Sequence, residues 1–223
     1  SDAIKRIKRD GPPELFALSG LLTSFQSIQQ LCVALKTNFP RSKIVVGGKI
    51  AVVKPEILFQ NIQTDFIVEG EGEIALVQLV DELQNGQKFE EVDGLAWKDE
   101  QGNIHSHGEA PTIKTLSDYR IPYERFDMEE YVKKVNVQSP KVRSLNMLSS
   151  RGCPFSCTFC NFSTLRSPMR YYDDLESQLD YLVENFQLRH VTFNDDIFTV
   201  NQPHVAKVAN LLKERKLTFS VSS

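Results

Sequence analysis

Long apolar runs, an excess of one charge and a framework of paired cysteines are all missing from these 223 residues. No apolar stretch approaches the roughly 20 residues that cross a bilayer, so no membrane span is predicted. A net charge of −3 gives no field that attracts nucleic acid or an anionic membrane surface. The basic N-terminal residues are not followed by a long apolar core, so no signal peptide is predicted.

The cysteine content indicates which cellular compartment the protein occupies. There are four cysteines, and three of them lie close together, which does not resemble a disulfide framework. Reduced thiols favour the cytoplasm. The fourth, Cys32, shares a helical apolar stripe with Ile28 and Leu35 and is predicted to be a small buried hydrophobe. With 41% hydrophobic and 25% charged residues, the chain has the composition of a globular protein with a core.

Three clustered thiols indicate a soft-metal site with one open position. Cys153, Cys157 and Cys160 are separated by three and then two residues, so their sulfur atoms can meet on one centre without long-range folding. A closed zinc site or an ordinary ferredoxin cluster needs four protein ligands. A four-iron cubane held by three thiolates keeps one iron open for another ligand. A zinc knuckle completed by a distant histidine remains the alternative.

The spacing resembles the C-x-x-x-C-x-aromatic-C signature of the radical S-adenosylmethionine (radical SAM) enzymes, with Phe159 at the aromatic position. The resemblance implies that the three cysteines hold a 4Fe-4S cluster as metal ligands. It further implies that the open iron binds the amino and carboxylate groups of SAM, and that Phe159 lies against the adenine. Reductive cleavage of SAM would then yield a 5′-deoxyadenosyl radical.

The first part of the chain predicts an α/β fold with a doubly wound parallel sheet. Three apolar runs of strand length alternate with amphipathic helices over short loops: Leu15–Ser19, Lys43–Val46 and Asp65–Glu69. Sheets of this kind bind ligands outside the carboxyl ends of their strands, and glycines there let a bulky ligand approach the backbone. Each glycine taken alone is typical of an ordinary turn.

Together, these strand ends resemble the later part of a flavodoxin-like cobalamin-binding domain, with its S-x-L and G-G motifs, over roughly residues 1–85. The resemblance implies contacts with the corrinoid and its nucleotide tail. The Gly-Glu-Gly-Glu run after the third strand is also common where such a domain joins a radical SAM domain. The cofactor-binding residues predicted on this basis are Ser19, Leu21, Gly47, Gly48, Glu69 and Gly70.

The D-x-H-x-x-G motif of that family does not occur in this sequence. It would precede Ser19 by about forty residues in the family pattern, so an N-terminally incomplete domain is expected. Many cobalamin-binding radical SAM proteins also lack the lower-ligand histidine. The axial ligation of the cobalamin therefore stays open.

Residues 86–142 are predicted to be a connector that contains a β-hairpin around Asp99–Gly102. Residues 143–223 return to alternating strands and helices, which predicts the first strands of a partial (β/α) barrel. The cysteines follow its first strand, and Asp195-Asp196 follow its second. Barrel ligands sit at this rim, and radical SAM enzymes bind the SAM amino group there, often through a Gly-Gly-Glu-like run. Asp195 and Asp196 are therefore predicted cofactor-binding residues, although Asn194 replaces the glycines.

The resemblance thus predicts a radical SAM enzyme, with a 4Fe-4S cluster, SAM and cobalamin as cofactors. The resemblance implies methyl transfer or C–H functionalisation of a small molecule or natural product. An electron donor such as flavodoxin or ferredoxin is the expected partner, with no nucleic acid and no membrane span, in an anaerobic cytoplasmic setting. The alternatives are a radical SAM enzyme that does not use cobalamin and a zinc-stabilised, non-catalytic binding module.

Overall fold

The computed structural model describes residues 2–86, 88–133, 142–160 and 168–221. The chain divides into two compact units, residues 1–113 and 114–223. The first contains helices α1 (Asp2–Asp10), α2 (Phe25–Asn38), α3 (Pro55–Asn61) and α4 (Gly72–Asn85), with strands β1 (Leu15–Ser19), β2 (Lys43–Gly47), β3 (Phe66–Val68), β4 (Leu95–Lys98) and β5 (Ile104–Ser106). The second contains helices α5 (Met128–Lys133), α6 (Leu175–Phe186) and α7 (Gln202–Glu214), with strands β6 (Ser144–Met147), β7 (Ser150–Arg151), β8 (Arg170–Tyr171), β9 (His190–Phe193) and β10 (Thr218–Val221).

The first unit is a five-stranded sheet in the order β1-β2-β3-β4-β5. Strands β1, β2 and β3 are parallel and are joined by α2 and α3, because parallel neighbours need a crossover connection. The predicted hairpin is present, and β4 pairs antiparallel with β3. The hairpin therefore extends the first sheet. The compact units divide after Ile113, whereas the boundaries at residues 85 and 142 stay a prediction about domains.

Alternating side chains give this sheet two buried faces. Ile44 and Ile67 belong to one core cluster with residues of α2 and α3, among them the fully buried Cys32. Val45 and Phe66 belong to a second cluster with Ala75 and Leu79 of α4. Apolar residues on both sides of each strand are what a sheet covered by helices on both faces requires. The predicted doubly wound sheet is confirmed.

The second unit begins a singly wound parallel sheet in the order β6-β9-β10. The connections through α6 and α7 each lead to the adjacent strand, which is the repeating step of a (β/α) barrel. The short strands β7 and β8 pair antiparallel with each other. Residues 161–167, between the cysteines and β8, lie outside the described residues.

One face of this second sheet is polar. Two cross-strand rows run over β6, β9 and β10, the first of Ser144, His190 and Thr218 and the second of Asn146, Thr192 and Ser220. His190 Nδ1 and Nε2 lie 2.8 and 3.1 Å from the hydroxyl oxygens of Thr218 and Ser220. The opposite face carries Phe193, which stacks on Phe198 after β9. In the described ranges no helix is long and apolar enough to cross a membrane.

Candidate functional site

The carboxyl ends of β1 and β2 meet, as their parallel register requires. Ser19 pairs with Gly47, and the backbone N–H of Gly20 donates to the Gly47 carbonyl at 3.3 Å. Gly48 has φ +80, a conformation that side-chain-bearing residues rarely adopt. A Cβ atom on Gly48 would collide with the Ser19 hydroxyl oxygen. The predicted residues Ser19, Gly47 and Gly48 therefore form one shallow strand-end surface.

Leu21 extends this surface. It follows β1 and is 57% exposed. At the end of β2, Gly48 is exposed and Gly47 is partly buried. An exposed apolar side chain and an exposed glycine at neighbouring strand ends match in kind the mixed apolar and amide surface of a corrinoid. These residues fit cobalamin in character.

Glu69 and Gly70, at the end of β3, have a different environment. A Cβ atom on Gly70, which has φ +86, would lie 3.1 Å from the backbone nitrogen of Ala110. Ala110 donates its N–H to the Glu69 carbonyl at 2.9 Å, and the Ser106 hydroxyl donates to the Glu69 carboxylate at 2.5 Å. Burial raises the pKa of Glu69 above its ordinary value. The close approach that demands glycine here comes from the chain itself, and cofactor contact at Glu69 and Gly70 stays a prediction.

The clustered cysteines lie in the segment between β7 and β8, called here the cysteine segment, and the paired strands β7 and β8 form its stem. β7 pairs with β8, and the Tyr172 N–H donates to the Ser149 carbonyl at 3.1 Å, so the two ends of the segment lie side by side. Cys153, Cys157 and Cys160 form no disulfide; Cys157 is exposed and the other two are partly buried. The Cys160 N–H donates to the Cys157 carbonyl at 3.0 Å. Phe159 is 88% exposed.

The donor set fits an iron–sulfur cluster in kind and number. Three thiols on an irregular, partly exposed segment supply soft ligands and leave one metal position for a further ligand. Over the described ranges, however, no three His, Cys, Asp or Glu side chains converge closely enough to hold a metal ion. The role of the cysteines as metal ligands and that of Phe159 as an adenine contact remain predictions.

The two aspartates after β9 differ in exposure. Asp195 is only 3% exposed, while its neighbour Asp196 lies at the surface. Both Asp195 oxygen atoms accept hydrogen bonds: Oδ1 from the Ser149 N–H at 2.7 Å, and Oδ2 from the Ser149 and Ser150 hydroxyls at 2.6 and 2.7 Å. Asp196 accepts from the Gly152 N–H at 3.2 Å. The two predicted SAM contacts therefore both face the start of the cysteine segment.

Sequence reasoning missed Ser149, Ser150 and His204. His204 Nε2 lies 2.9 Å from the Ser149 hydroxyl oxygen, and its ring packs against Tyr171 with centroids 4.4 Å apart. Burial lowers the pKa of His204, with a smaller opposing effect of Asp195. The only signal in the sequence is the pair of small polar residues before the first cysteine, which is also typical of a turn.

Residues 1–80 match the family model described as the B12 binding domain. The chain is 26% identical over 226 residues to the uncharacterized methyltransferase PH0819 of Pyrococcus horikoshii, covering 99% of this chain and 47% of the relative. It is 25% identical over 179 residues to the cobalamin-dependent radical SAM methyltransferase TokK of Streptomyces tokunonensis, covering 78% and 26%. It thus spans about half or less of the length of these relatives.

The solved structure of the apo form of OxsB, a cobalamin-dependent S-adenosylmethionine radical enzyme, superposes with a TM-score of 0.73 at 23% identity. The match covers 98% of this chain and 31% of OxsB, and at this identity it establishes the fold. The same order of a parallel, helix-covered sheet and a barrel-like sheet is thus found in a solved structure. Residues 1–80 thus match a B12 binding domain, and the chain as a whole is similar to cobalamin-dependent radical SAM enzymes.

Proposed function

We propose that this chain is part of a radical SAM enzyme that uses a 4Fe-4S cluster and cobalamin for methyl transfer or another C–H functionalisation. The observation that carries the proposal is the trio of cysteines outside disulfides, Cys153, Cys157 and Cys160, which follows the first strand of a barrel-like sheet. The match to the B12 binding domain in the same chain supports cobalamin as the second cofactor. When bound, the cluster and cobalamin supply the electron and methyl-carrier chemistry that side chains lack.

The chain's own residues bind and orient these groups. The three cysteine thiolates hold the cluster, and the exposed Phe159 ring covers the adenine of SAM once SAM is bound. Asp196, at the surface beside the cysteine stem, is the carboxylate positioned to meet a protonated amino group. In the first unit, Leu21, Gly47 and Gly48 receive the corrinoid. Ser19, at the same strand end, offers a hydroxyl to its nucleotide tail.

The substrate class follows from the relatives and stays broad. TokK and PH0819 are named as methyltransferases, and a small molecule or natural product is the corresponding proposal for this chain. A flavodoxin or ferredoxin is the proposed electron donor. Oxygen sensitivity of such a cluster makes an anaerobic cytoplasm the proposed setting.

Anaerobic reconstitution tests the cluster. The chain is expected to take up about four irons with sulfide, to turn brown, and to yield 5′-deoxyadenosine from SAM after reduction. Replacing all three clustered cysteines with alanine abolishes both signals. Cys32→Ala is the matched control, because Cys32 is fully buried and burial raises its pKa to about 11, which disfavours a metal-binding thiolate. A triple variant that still binds iron and cleaves SAM would refute the assignment.

Metal and corrinoid analysis separates the alternatives. About one zinc per chain in place of about four irons would instead indicate a zinc-stabilised binding module. Cobalamin binding is measured with hydroxocobalamin by the change in its visible spectrum. A cluster-loaded chain that does not retain the corrinoid would limit the function to radical SAM chemistry without cobalamin.

A further inference from the structure

The stem of the cysteine segment is tied to the end of β9 by a buried carboxylate. Asp195 accepts three hydrogen bonds of 2.6 to 2.7 Å from Ser149 and Ser150, which lie 46 and 45 residues before it. Ser149 and Ser150 are 0% and 1% exposed. We propose that Asp195 is a positioning residue that anchors the start of the cysteine segment, and that it does not bind SAM. This inference rests on the proposed function only where it concerns the cluster.

Burial and hydrogen bonding together support an anchoring role. An ionised carboxylate that is almost fully removed from water is stable only if its oxygens are hydrogen-bonded. Both oxygens of Asp195 are engaged by serine donors that are themselves buried, so an incoming ammonium group would have to displace one of them. Breaking such a bond leaves a buried donor without a partner, which is costly. The neighbour Asp196 is exposed and accepts a hydrogen bond from the Gly152 N–H.

The residues between the Asp195 contacts and Cys153 form backbone hydrogen bonds of their own. Ser150 and Arg151 form β7, paired with β8 on the far side of the segment. Gly152, with φ +100, donates its N–H to Asp196. All three residues between Ser149 and Cys153 are therefore held by β8 or by Asp196 in the loop after β9. A cluster held by three thiolates gains from such pre-positioning, because less chain has to be ordered when the metal binds.

Ser149 also links the anchor to α7. Its hydroxyl oxygen lies between Asp195 Oδ2 and His204 Nε2, at 2.6 and 2.9 Å. His204 packs on Tyr171 of β8, whose hydroxyl accepts from Asn201 at the start of α7. The strand that enters the segment and the strand that leaves it thus contact the same group of side chains. This arrangement holds both ends of the segment in place.

Hydrogen exchange of the metal-free chain tests the anchor directly. Asp195→Asn keeps the size of the side chain but removes its charge and one acceptor oxygen. We expect peptides covering residues 148–155 to exchange roughly tenfold faster or more, the factor that corresponds to loss of a hydrogen bond to a charged group. Ser150→Ala, which removes one of the three bonds, is expected to give a smaller acceleration. Ser150→Ala is the variant that tests the anchor if Asp195→Asn does not fold.

Asp65→Asn is the matched control. Asp65 accepts from the Ile44 N–H at 2.8 Å and from the Lys36 ammonium at 2.5 Å, but it belongs to the first unit. This variant should accelerate exchange around β2 and leave residues 148–155 unchanged. Unchanged exchange at residues 148–155 in both Asp195→Asn and Ser150→Ala would overturn the anchor.

Cluster retention and SAM affinity then separate positioning from binding. After anaerobic reconstitution, Asp195→Asn is expected to lose iron to a chelator roughly tenfold faster than wild type, with the affinity for SAM per loaded cluster unchanged. Wild-type iron retention, with or without weakened SAM binding, would overturn the positioning role. If wild type takes up no cluster, the proposed function fails, and hydrogen exchange still decides whether Asp195 anchors the segment.

Discussion

Gly48 and Ser19 are packed so closely that any side chain on Gly48 would overlap the serine hydroxyl oxygen. This contact joins the ends of β1 and β2 in the first unit. Gly48 also has a positive φ of +80, so that both the backbone conformation and this contact favour glycine at this position.

Gly48→Ala is therefore expected to lower the free energy of unfolding by about 1–3 kcal/mol, the usual cost of a strained backbone conformation, with a further cost from the overlap. Urea unfolding followed by Trp97 fluorescence measures it, because Trp97 lies in β4 of the same sheet. Gly102→Ala is the matched control: φ is +86, but no atom lies within 4 Å of its Cβ position. Equal losses in the two variants would show that the overlap with Ser19 is relieved without cost. In Ser19→Ala/Gly48→Ala only the backbone strain should remain.

Leu21→Ala is expected to weaken hydroxocobalamin binding several-fold while the unfolding free energy changes by less than about 0.5 kcal/mol. The side chain is 57% exposed without the cofactor, so its removal opens no cavity, but its contact with the corrinoid is lost. Val77→Ala, at 61% exposure on α4, is the control and should change neither quantity. Spectroscopic titration measures the affinity. An unchanged affinity in Leu21→Ala would remove Leu21 from the binding surface.

Phe159→Ala is expected to reduce SAM affinity several-fold without altering iron uptake or stability. Its ring is 88% exposed, so little folding energy depends on it, whereas stacking on the adenine is worth about 1–3 kcal/mol. Phe155→Ala, 48% exposed in the same segment, is the matched aromatic control. Binding of SAM to the reconstituted protein measures the effect. Equal losses in both variants would contradict a specific role for Phe159.

The pH dependence of stability should reveal the buried His190. Burial lowers its pKa in the folded chain below the ordinary value of about 6.5. The unfolded chain therefore binds more protons below about pH 6.5, so stability falls as the pH drops through this value and is constant above it. Urea midpoints by circular dichroism between pH 5 and 8 measure this.

His190→Gln should weaken the pH dependence, because glutamine does not titrate but can still hydrogen-bond to Thr218 and Ser220. The part that remains is expected from His204, whose pKa burial also lowers. An identical pH dependence in wild type and His190→Gln would contradict a neutral, buried His190.

The elements of both sheets follow from local pattern. The prediction of strands at Leu15–Ser19 and Lys43–Val46 agrees with β1 and β2 to within one residue, because buried parallel strands are continuous apolar runs. The cysteine spacing is equally local, so a metal site could be predicted without knowing the fold. The hairpin was also predicted, but not its place in the first sheet, since the register with β3 is set by packing that no turn sequence encodes.

The surroundings of Gly70, Asp195 and Asp196 could be determined only from the tertiary structure. The glycine-rich run after β3 predicted ligand approach, yet at Gly70 the approaching group is Ala110, which lies 40 positions further along the chain. Likewise Asp195 and Asp196 were predicted as a pair, whereas one is buried and the other exposed.

The sequence by itself determined the two kinds of sheet and the spacing of the three thiols, since each depends on residues that are neighbours in the chain. Only the tertiary structure decided that Asp195 holds Ser149 and Ser150 while Asp196 stays at the surface. A buried carboxylate is satisfied by whichever donors the fold brings to it from distant segments, and periodicity carries no information about which those are.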